Sequence, residues 1–340
     1  MSSIQFPAEW HPQSAIQITW PHEGTDWNDI LDEVTAFYIN LSKEILKHSR
    51  LMIVCKESKE IKKHFTVAEQ INLLLVEAES NDTWARDHGA ISVLIDGKPA
   101  IYDFGFNAWG LKFAANYDNQ ITSELFSRNI FEKNVKYYNY LNFILEGGAI
   151  ETDGEGTLLT TSKCLLAPNR NQPLTKHEIE EFLKKTLGLK QVLWLNYGFL
   201  LGDDTDNHID TLARFCDKDT IAYVQCTDEK DVHFQELKKM EEELANFNKL
   251  DGNSYNLIPL PMAKAVYEEN QRLPATYANF LILNNVVLMP TYSSDKDSIA
   301  KAQLQKAFPD REIIGVDCTT LIKQHGSLHC ITMQYPEGFI

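Results

Sequence analysis

Cysteine, positive charge and long hydrophobic runs are all scarce in this chain of 340 residues. The six cysteines (Cys55, Cys164, Cys216, Cys226, Cys318 and Cys330) are scattered, with no C-x-x-C spacing. That argues against a zinc ribbon or a disulfide framework and makes a reducing cytoplasm the expected location. Lys and Arg number 32 against 48 Asp and Glu, a formal net charge of −16. Nucleic acid is therefore not an expected partner, because phosphate binding needs clustered cations. The negative field favours cationic ligands, although the same charge also serves solubility alone. No stretch approaches the ~18 apolar residues of a membrane span. The N-terminus lacks the basic and apolar regions of a secretory signal. With 12 Pro and 16 Gly there is no low-complexity linker, so residues 1–340 are expected to form one domain.

What is present is a repeat. A polar or glycine-containing cluster runs into a strand, a tight turn and a second strand. The turns fall at Asp96-Gly97, Asp153-Gly154, Asp217 to Asp219 and Asn284-Asn285. Asp-Gly and Asn-Asn between β-rich runs are hairpin signals. Separations of 57, 64 and 67 residues between these turns indicate an internal repeat. Between hairpins, apolar residues recur at helical spacing, as in Ile30, Leu31, Val34, Tyr38, Leu41 and Ile45. Thr175 and Glu178 read as a capping box opening another helix. Further helices are expected around Phe234 to Phe247 and over Lys296 to Ala307, with strands at 51–55, 72–76, 192–195 and 313–316. A fifth unit, from Gly326, ends without a hairpin partner. The run from Ala15 to Pro21 also lacks one. Pairing these two closes about five units into a ring, which removes exposed edges. The expected fold is α/β, a closed five-bladed propeller of ββαβ units around a central cavity.

Equivalent positions then converge on the axis: Trp84 and Asp87, Glu146, His208 and Asp210, Asn279, and Cys330. Carboxylates at this density suit a planar delocalised cation, and guanidinium offers five N–H donors in a fork that carboxylates match. Cys330 as a nucleophile needs a thiolate, which a bound guanidinium favours, and His208 is placed to move protons. A cysteine in an apolar strand is more often simply buried, however. His208 and Asp210 share a face if that stretch is extended. Their His-x-Asp spacing also allows metal ligation, but no second His pair and no His-Glu-x-x-His accompanies it, so no metal is expected. Trp84 can stack on a cation or serve the core. The glycines after Glu146 can serve a bulge. The acidic run Asp203, Asp204 and Asp206 reads as surface or as a border of the cavity.

At these residues the chain resembles the agmatine deiminases of the Porphyromonas-type peptidyl-arginine deiminase family, within the pentein superfamily. The motifs are Asp82-Thr-Trp-Ala-Arg-Asp87, Phe104-Gly-Phe-Asn-Ala-Trp109-Gly, Leu145-Glu-Gly-Gly, Asn169-Arg-Asn171, Gly202-Asp-Asp-Thr-Asp-Asn-His-Ile-Asp210 and Leu328-His-Cys-Ile-Thr. The resemblance implies the five-bladed α/β propeller. It implies Cys330 as nucleophile through a covalent amidino-thiol, His208 as general acid/base, and Asp87 and Asp210 as the carboxylates gripping the guanidinium. Glu146 is implied as a further contact to that group, Trp84 and Trp109 as substrate-binding aromatics, and Asp204 as acceptor of the distal amine. The implied reaction converts agmatine to N-carbamoylputrescine and ammonia with no cofactor, in a chain that self-associates as a homodimer or higher homo-oligomer. Two departures concern backbone shape: Asn207 where the family often has Gly, and His325-Gly326-Ser327 where it often has a glycine triplet.

Free or peptidyl arginine shares the guanidinium but carries a carboxylate or acyl end. No Arg lies between Arg86 and Arg128, although Lys112 does, whereas Asp203, Asp204 and Asp206 suit a distal ammonium. Agmatine therefore ranks first and arginine second. A thiol hydrolase of acyl substrates is disfavoured by the acidic pocket. A non-catalytic binding module predicts lost site residues, and Cys330, His208, Asp87 and Asp210 are all retained.

Overall fold

The structure, a computed structural model, describes residues 3–340. It is a mixed α/β structure in which one sheet pattern recurs five times. In each, a first strand pairs antiparallel with a second, and the second pairs parallel with a third. Ile91–Ile95, Lys98–Gly105 and Lys136–Ile144 make the first set. Ile150–Thr152, Thr157–Thr161 and Gln191–Leu195 make the next. Ala213–Asp217, Thr220–Gln225 and Asn256–Pro261 follow, then Leu281–Ile282, Val286–Thr291 and Glu312–Asp317. The fifth set joins the two ends of the chain: Met333–Pro336 pairs antiparallel with Gln13–Thr19, which runs parallel to Arg50–Cys55 and on to Leu73–Glu77. Four of these antiparallel pairs turn at the Asp-Gly, Asp-Lys-Asp and Asn-Asn positions read from the sequence. The parallel pairs need long crossovers, and most of these carry helices.

Helices form where the apolar spacing and caps predict them. Leu31–Leu46 buries Val34, Tyr38, Leu41 and Ile45 on one face. Lys176–Leu187 opens on the complete Thr175–Glu178 capping box and stops at Gly188, whose φ of 71° is the left-handed conformation open to glycine. Phe234–Asn246 and Lys296–Ala307 complete the set. Among the described residues, no helix is long and apolar enough to cross a membrane.

Two local expectations are corrected. His208, Ile209 and Asp210 are not extended; Ile209–Thr211 is a 3-10 turn, so the two side chains share the site through that turn rather than through a strand face. Cys330 lies in a turn ahead of Met333–Pro336 rather than within a strand. Similar short helical turns, Ala85–His88 and Gly147–Ala149, precede two of the hairpins. A tight turn bunches neighbouring side chains at one place, whereas a strand would spread them along an edge.

Candidate active site

Three of the expected residues meet around one glycine. A Cβ placed on Gly148 would lie 2.6 Å from His208 Nδ1, 2.8 Å from Asp87 Oδ1 and 3.1 Å from Asp210 Oδ2. The sequence left this glycine as a turn former; its actual role is to let three functional groups approach the backbone. Gly148→Ala is expected to lower turnover by about 100-fold through displacement of these groups, a loss read from kcat/KM.

Asp87 sits in the Ala85–His88 turn with both oxygens engaged. Oδ1 accepts the Gly148 N–H at 2.9 Å and Oδ2 accepts the Trp109 indole N–H at 2.9 Å. Burial pushes its pKa up to about 6, against the pull of His208. Trp109 reaches it because Trp109 itself has φ 54° and Gly110 has φ 89°, a left-handed kink that turns the indole inward. Asp210 Oδ2 lies 2.8 Å from His329 Nδ1 and 3.9 Å from Cys330 Sγ, while its Oδ1 is buried with no hydrogen-bond partner. An orphaned carboxylate oxygen in the interior is costly unless something arrives to fill it.

Cys330 Sγ is 3.4 Å from Asn279 Oδ1. That oxygen also accepts the backbone N–H of His329 at 2.8 Å and of Cys330 at 3.3 Å, so Asn279 pins the turn that presents the thiol. Burial, then the charges of Asp210 and Asp87, push the thiol pKa well above its ordinary value. His208 Nδ1 stands 3.6 Å from Asp87 Oδ1, and neither ring nitrogen makes a hydrogen bond. Burial opposes the charged imidazole, but Asp87, Cys164 and Glu146 outweigh it and raise its pKa.

Glu146 is also here, in a different relation from the one expected. It is fully buried, and both its carboxylate oxygens receive Arg170 Nε, at 3.0 and 3.2 Å. It groups with His208 and Cys164 as metal ligands do, but both its oxygens are already taken by the guanidinium of Arg170. The same geometry groups Glu9, Glu151 and His329, where Arg214 takes the cationic place.

A cavity of about 170 Å³ opens above these groups, lined by Asp26, Asp82, Trp84, Asp87, Trp109, Phe113, Asp204, Thr205, Gln324, His325, Gly326 and Cys330. Four of these are carboxylates and none is Lys or Arg. Lys112 is turned to the loop instead: it donates to the Asp204 carbonyl and lies 3.0 Å from Asp206 Oδ2. Burial raises the pKa of Asp204, as does the charge of Asp203. Burial also pushes Asp82 up to about 7, with Asp26 adding to it. Trp84 forms a wall, held by its indole N–H to Asp82 Oδ2 at 3.0 Å. Gly326 lies against its ring, where a Cβ would fall 2.0 Å from Cζ3.

Asp203 and Asp206 shape the loop rather than line the cavity. Asp203 accepts the Asn207 N–H at 2.7 Å and the Thr205 hydroxyl at 2.6 Å, and Asp206 accepts Arg170 Nη1 at 2.6 Å. The two backbone departures also find a physical reading. Asn207 has φ 65° and His325 φ 65°, conformations glycine adopts freely. Asn tolerates that region and so substitutes there. His325 is held by a contact from its Nδ1 to the Gly202 carbonyl at 2.7 Å.

Sequence reading assigned no task to Arg170, His329, Glu9 or Asp82. Arg170 lies inside the Asn169-Arg-Asn171 motif and His329 beside Cys330, so position alone was the available signal.

The chain is similar to known proteins over nearly its whole length. Residues 5–336 match the Porphyromonas-type peptidyl-arginine deiminase family. A candidate agmatine deiminase of Vibrio parahaemolyticus is 34% identical, over 97% of this chain and 96% of its own. Among solved structures, a candidate arginine deiminase from Porphyromonas gingivalis is 54% identical with a TM-score of 0.96, covering 99% of each chain. A cysteine-to-serine agmatine deiminase of C. jejuni with substrate bound is 41% identical with a TM-score of 0.93, covering 100% of this chain and 98% of that one. By sequence across nearly its whole length, the chain belongs to the Porphyromonas-type peptidyl-arginine deiminase family.

Proposed function

We propose that this protein hydrolyses agmatine to N-carbamoylputrescine and ammonia through a covalent intermediate on Cys330. The observation that carries the reading is a thiol set among buried carboxylates at the floor of a cavity without Lys or Arg. Such a site favours a cation, and a fork of N–H donors fits carboxylate oxygens held at different angles. Asp210 Oδ1 has no partner of its own to give up.

In this mechanism the guanidinium enters between Asp87 and Asp210. Its charge compensates the two carboxylates, the thiol proton leaves to solvent, and the thiolate attacks the guanidinium carbon. The bond from that carbon to a terminal nitrogen breaks, and the imidazolium of His208 gives its proton to the departing ammonia. His208, now neutral, takes a proton from water as the oxygen attacks the same carbon. The C–S bond then breaks, the sulfur recovers a proton, and the carbamoyl product leaves. Positioning and charge supply the rate enhancement, and no metal or organic cofactor takes part.

The five matching sheets act in this reading as the blades of one closed α/β propeller, with residues 1–340 as a single catalytic domain working in the cytoplasm as a homo-oligomer. Trp84 and Trp109 wall the alkyl chain. Glu146 serves through His208, as the charge behind it, rather than by touching substrate. Asp204, at the cavity wall, receives the distal ammonium.

Free arginine is the second reading, favoured by the description of the 54%-identical P. gingivalis chain. A substrate panel of agmatine, arginine and an arginyl peptide, scored for ammonia and carbamoyl product, separates the two. Agmatine is expected to be turned over fastest; faster release from arginine contradicts the assignment. Asp204→Asn is expected to raise KM for agmatine about tenfold, with kcat little changed, because a partly exposed charge pair contributes on the order of 1 kcal/mol. An unchanged KM removes Asp204 from the ammonium site.

A further inference from the structure

A buried chain of three groups runs behind the thiol. His329 Nδ1 lies 2.8 Å from Asp210 Oδ2, and His329 Nε2 lies 2.7 Å from Glu9 Oε2. All three side chains are buried. Glu9 is fixed at its other contacts: Oε1 accepts the Ile282 N–H at 2.6 Å, and Oε2 also accepts Arg214 Nη2 at 2.6 Å. Arg214 in turn binds Glu151, and Arg86 Nη2 lies 3.8 Å from Glu9.

Protons must be assigned to both contacts of the imidazole. A carboxylate oxygen at hydrogen-bond distance from a bare ring nitrogen would set lone pair against lone pair. Glu9 is held ionised beside Arg214, so the proton toward it belongs to Nε2. The second lies either on Nδ1 or on Asp210. Burial, with the Arg214 and Arg86 cations, holds the imidazole pKa below its ordinary value against the pull of Glu9 and Asp210, so the second proton rests on the two carboxylate contacts themselves. The free oxygen of Asp210 decides the matter. A protonated Asp210 would forfeit the charge that a guanidinium needs, in a site otherwise arranged for a cation.

We propose that His329 is a positioning residue: its imidazole, carrying a proton on both nitrogens, spans Glu9 and Asp210 and keeps Asp210 ionised with Oδ1 turned to the substrate. The proposal rests on the agmatine reading above and adds two residues, His329 and Glu9, that act through Asp210 rather than on substrate. It also gives the His-Cys pair a common logic. One turn, pinned by Asn279, delivers the nucleophile to the cavity and the imidazole to the carboxylate behind it.

Two substitutions separate this role from simple packing. An Asn side chain at position 329 carries an amide N–H near the place of Nδ1, so His329→Asn keeps a donor for Asp210 and loses Glu9. The longer His329→Gln places its amide near Nε2, keeping Glu9 and losing Asp210. With agmatine, His329→Gln is expected to lower kcat/KM by about 100-fold, and His329→Asn by no more than about tenfold. In a Cys330→Ser background the Gln variant is expected to bind agmatine at least tenfold more weakly than the Asn variant, at matched thermal stability. Equal losses in the two variants, or equal binding, overturns the proposal. If either variant fails to fold, nitrogen NMR of the wild-type protein with labelled histidine at 329 decides: protons on both ring nitrogens support it, and a bare Nδ1 overturns it. Failure of the agmatine reading itself looks different, since the unmodified protein would then release no ammonia from agmatine.

Discussion

Cys330→Ser is expected to lower ammonia release from agmatine by about 10⁴-fold or more while leaving agmatine binding measurable. Serine keeps the size of the side chain and its place near Asn279, so the cavity and the carboxylates stay as they are. What is lost is ionisation. The hydroxyl has a far higher pKa than a thiol, and here even the thiol is pushed well up by burial and by Asp210 and Asp87. The wild-type sulfur therefore depends on the substrate cation to become a thiolate. A consequence is that Cys330 in the free protein should react slowly with neutral alkylating reagents at neutral pH and faster as pH rises. Ammonia release at the wild-type rate by the serine variant would end the covalent account.

Asp87→Asn is the second large effect, expected to lower kcat/KM for agmatine by about 10³-fold. The substitution removes a negative charge facing the guanidinium. It also removes an acceptor, since the Gly148 N–H and the Trp109 indole bond to different oxygens and the NH₂ that replaces one of them only donates. The charge has a pH signature as well. Burial lifts the Asp87 carboxyl to about 6, so its ionised, substrate-gripping form is lost as pH falls through that value. The wild-type kcat/KM should show an acid limb near pH 6, and Asp87→Asn should lack it. A pH profile flat between 5 and 8 in the wild type would mean that Asp87 does not titrate in the free protein, or that its charge is not used.

The sequence exposed the repeat because hairpin turns carry strong local chemistry. Asp96, Gly97 and Gly154 adopt positive φ, and the chain places there residues that tolerate it. Helices at Leu31–Leu46 and Phe234–Asn246 were legible from spacing, and the helix at Lys176–Leu187 from its cap. Cys330, His208, Asp87 and Asp210 were legible because the same cluster recurs at the head of several units. Non-local facts were not legible. Arg170 is bonded to Glu146 and Asp206, 24 and 36 residues away, and Glu9 meets His329 across 320 residues. No periodicity encodes such pairings. Gly148 was ambiguous for a similar reason: a glycine needed for close approach and a glycine needed for a turn look the same until the approaching groups are placed. The extended reading of His208 and Asp210 failed because a 3-10 turn leaves little signature over three residues.

The account stands on a sulfur–carbon bond formed during turnover. Rapid-quench mass spectrometry of the wild-type protein mixed with agmatine tests it most directly. The expected result is a transient species heavier by agmatine less one ammonia, mapping to the peptide that holds Cys330 and absent from Cys330→Ser. Ammonia release through many turnovers with no such species, under conditions that trap acyl-enzymes of comparable lifetime, would contradict it.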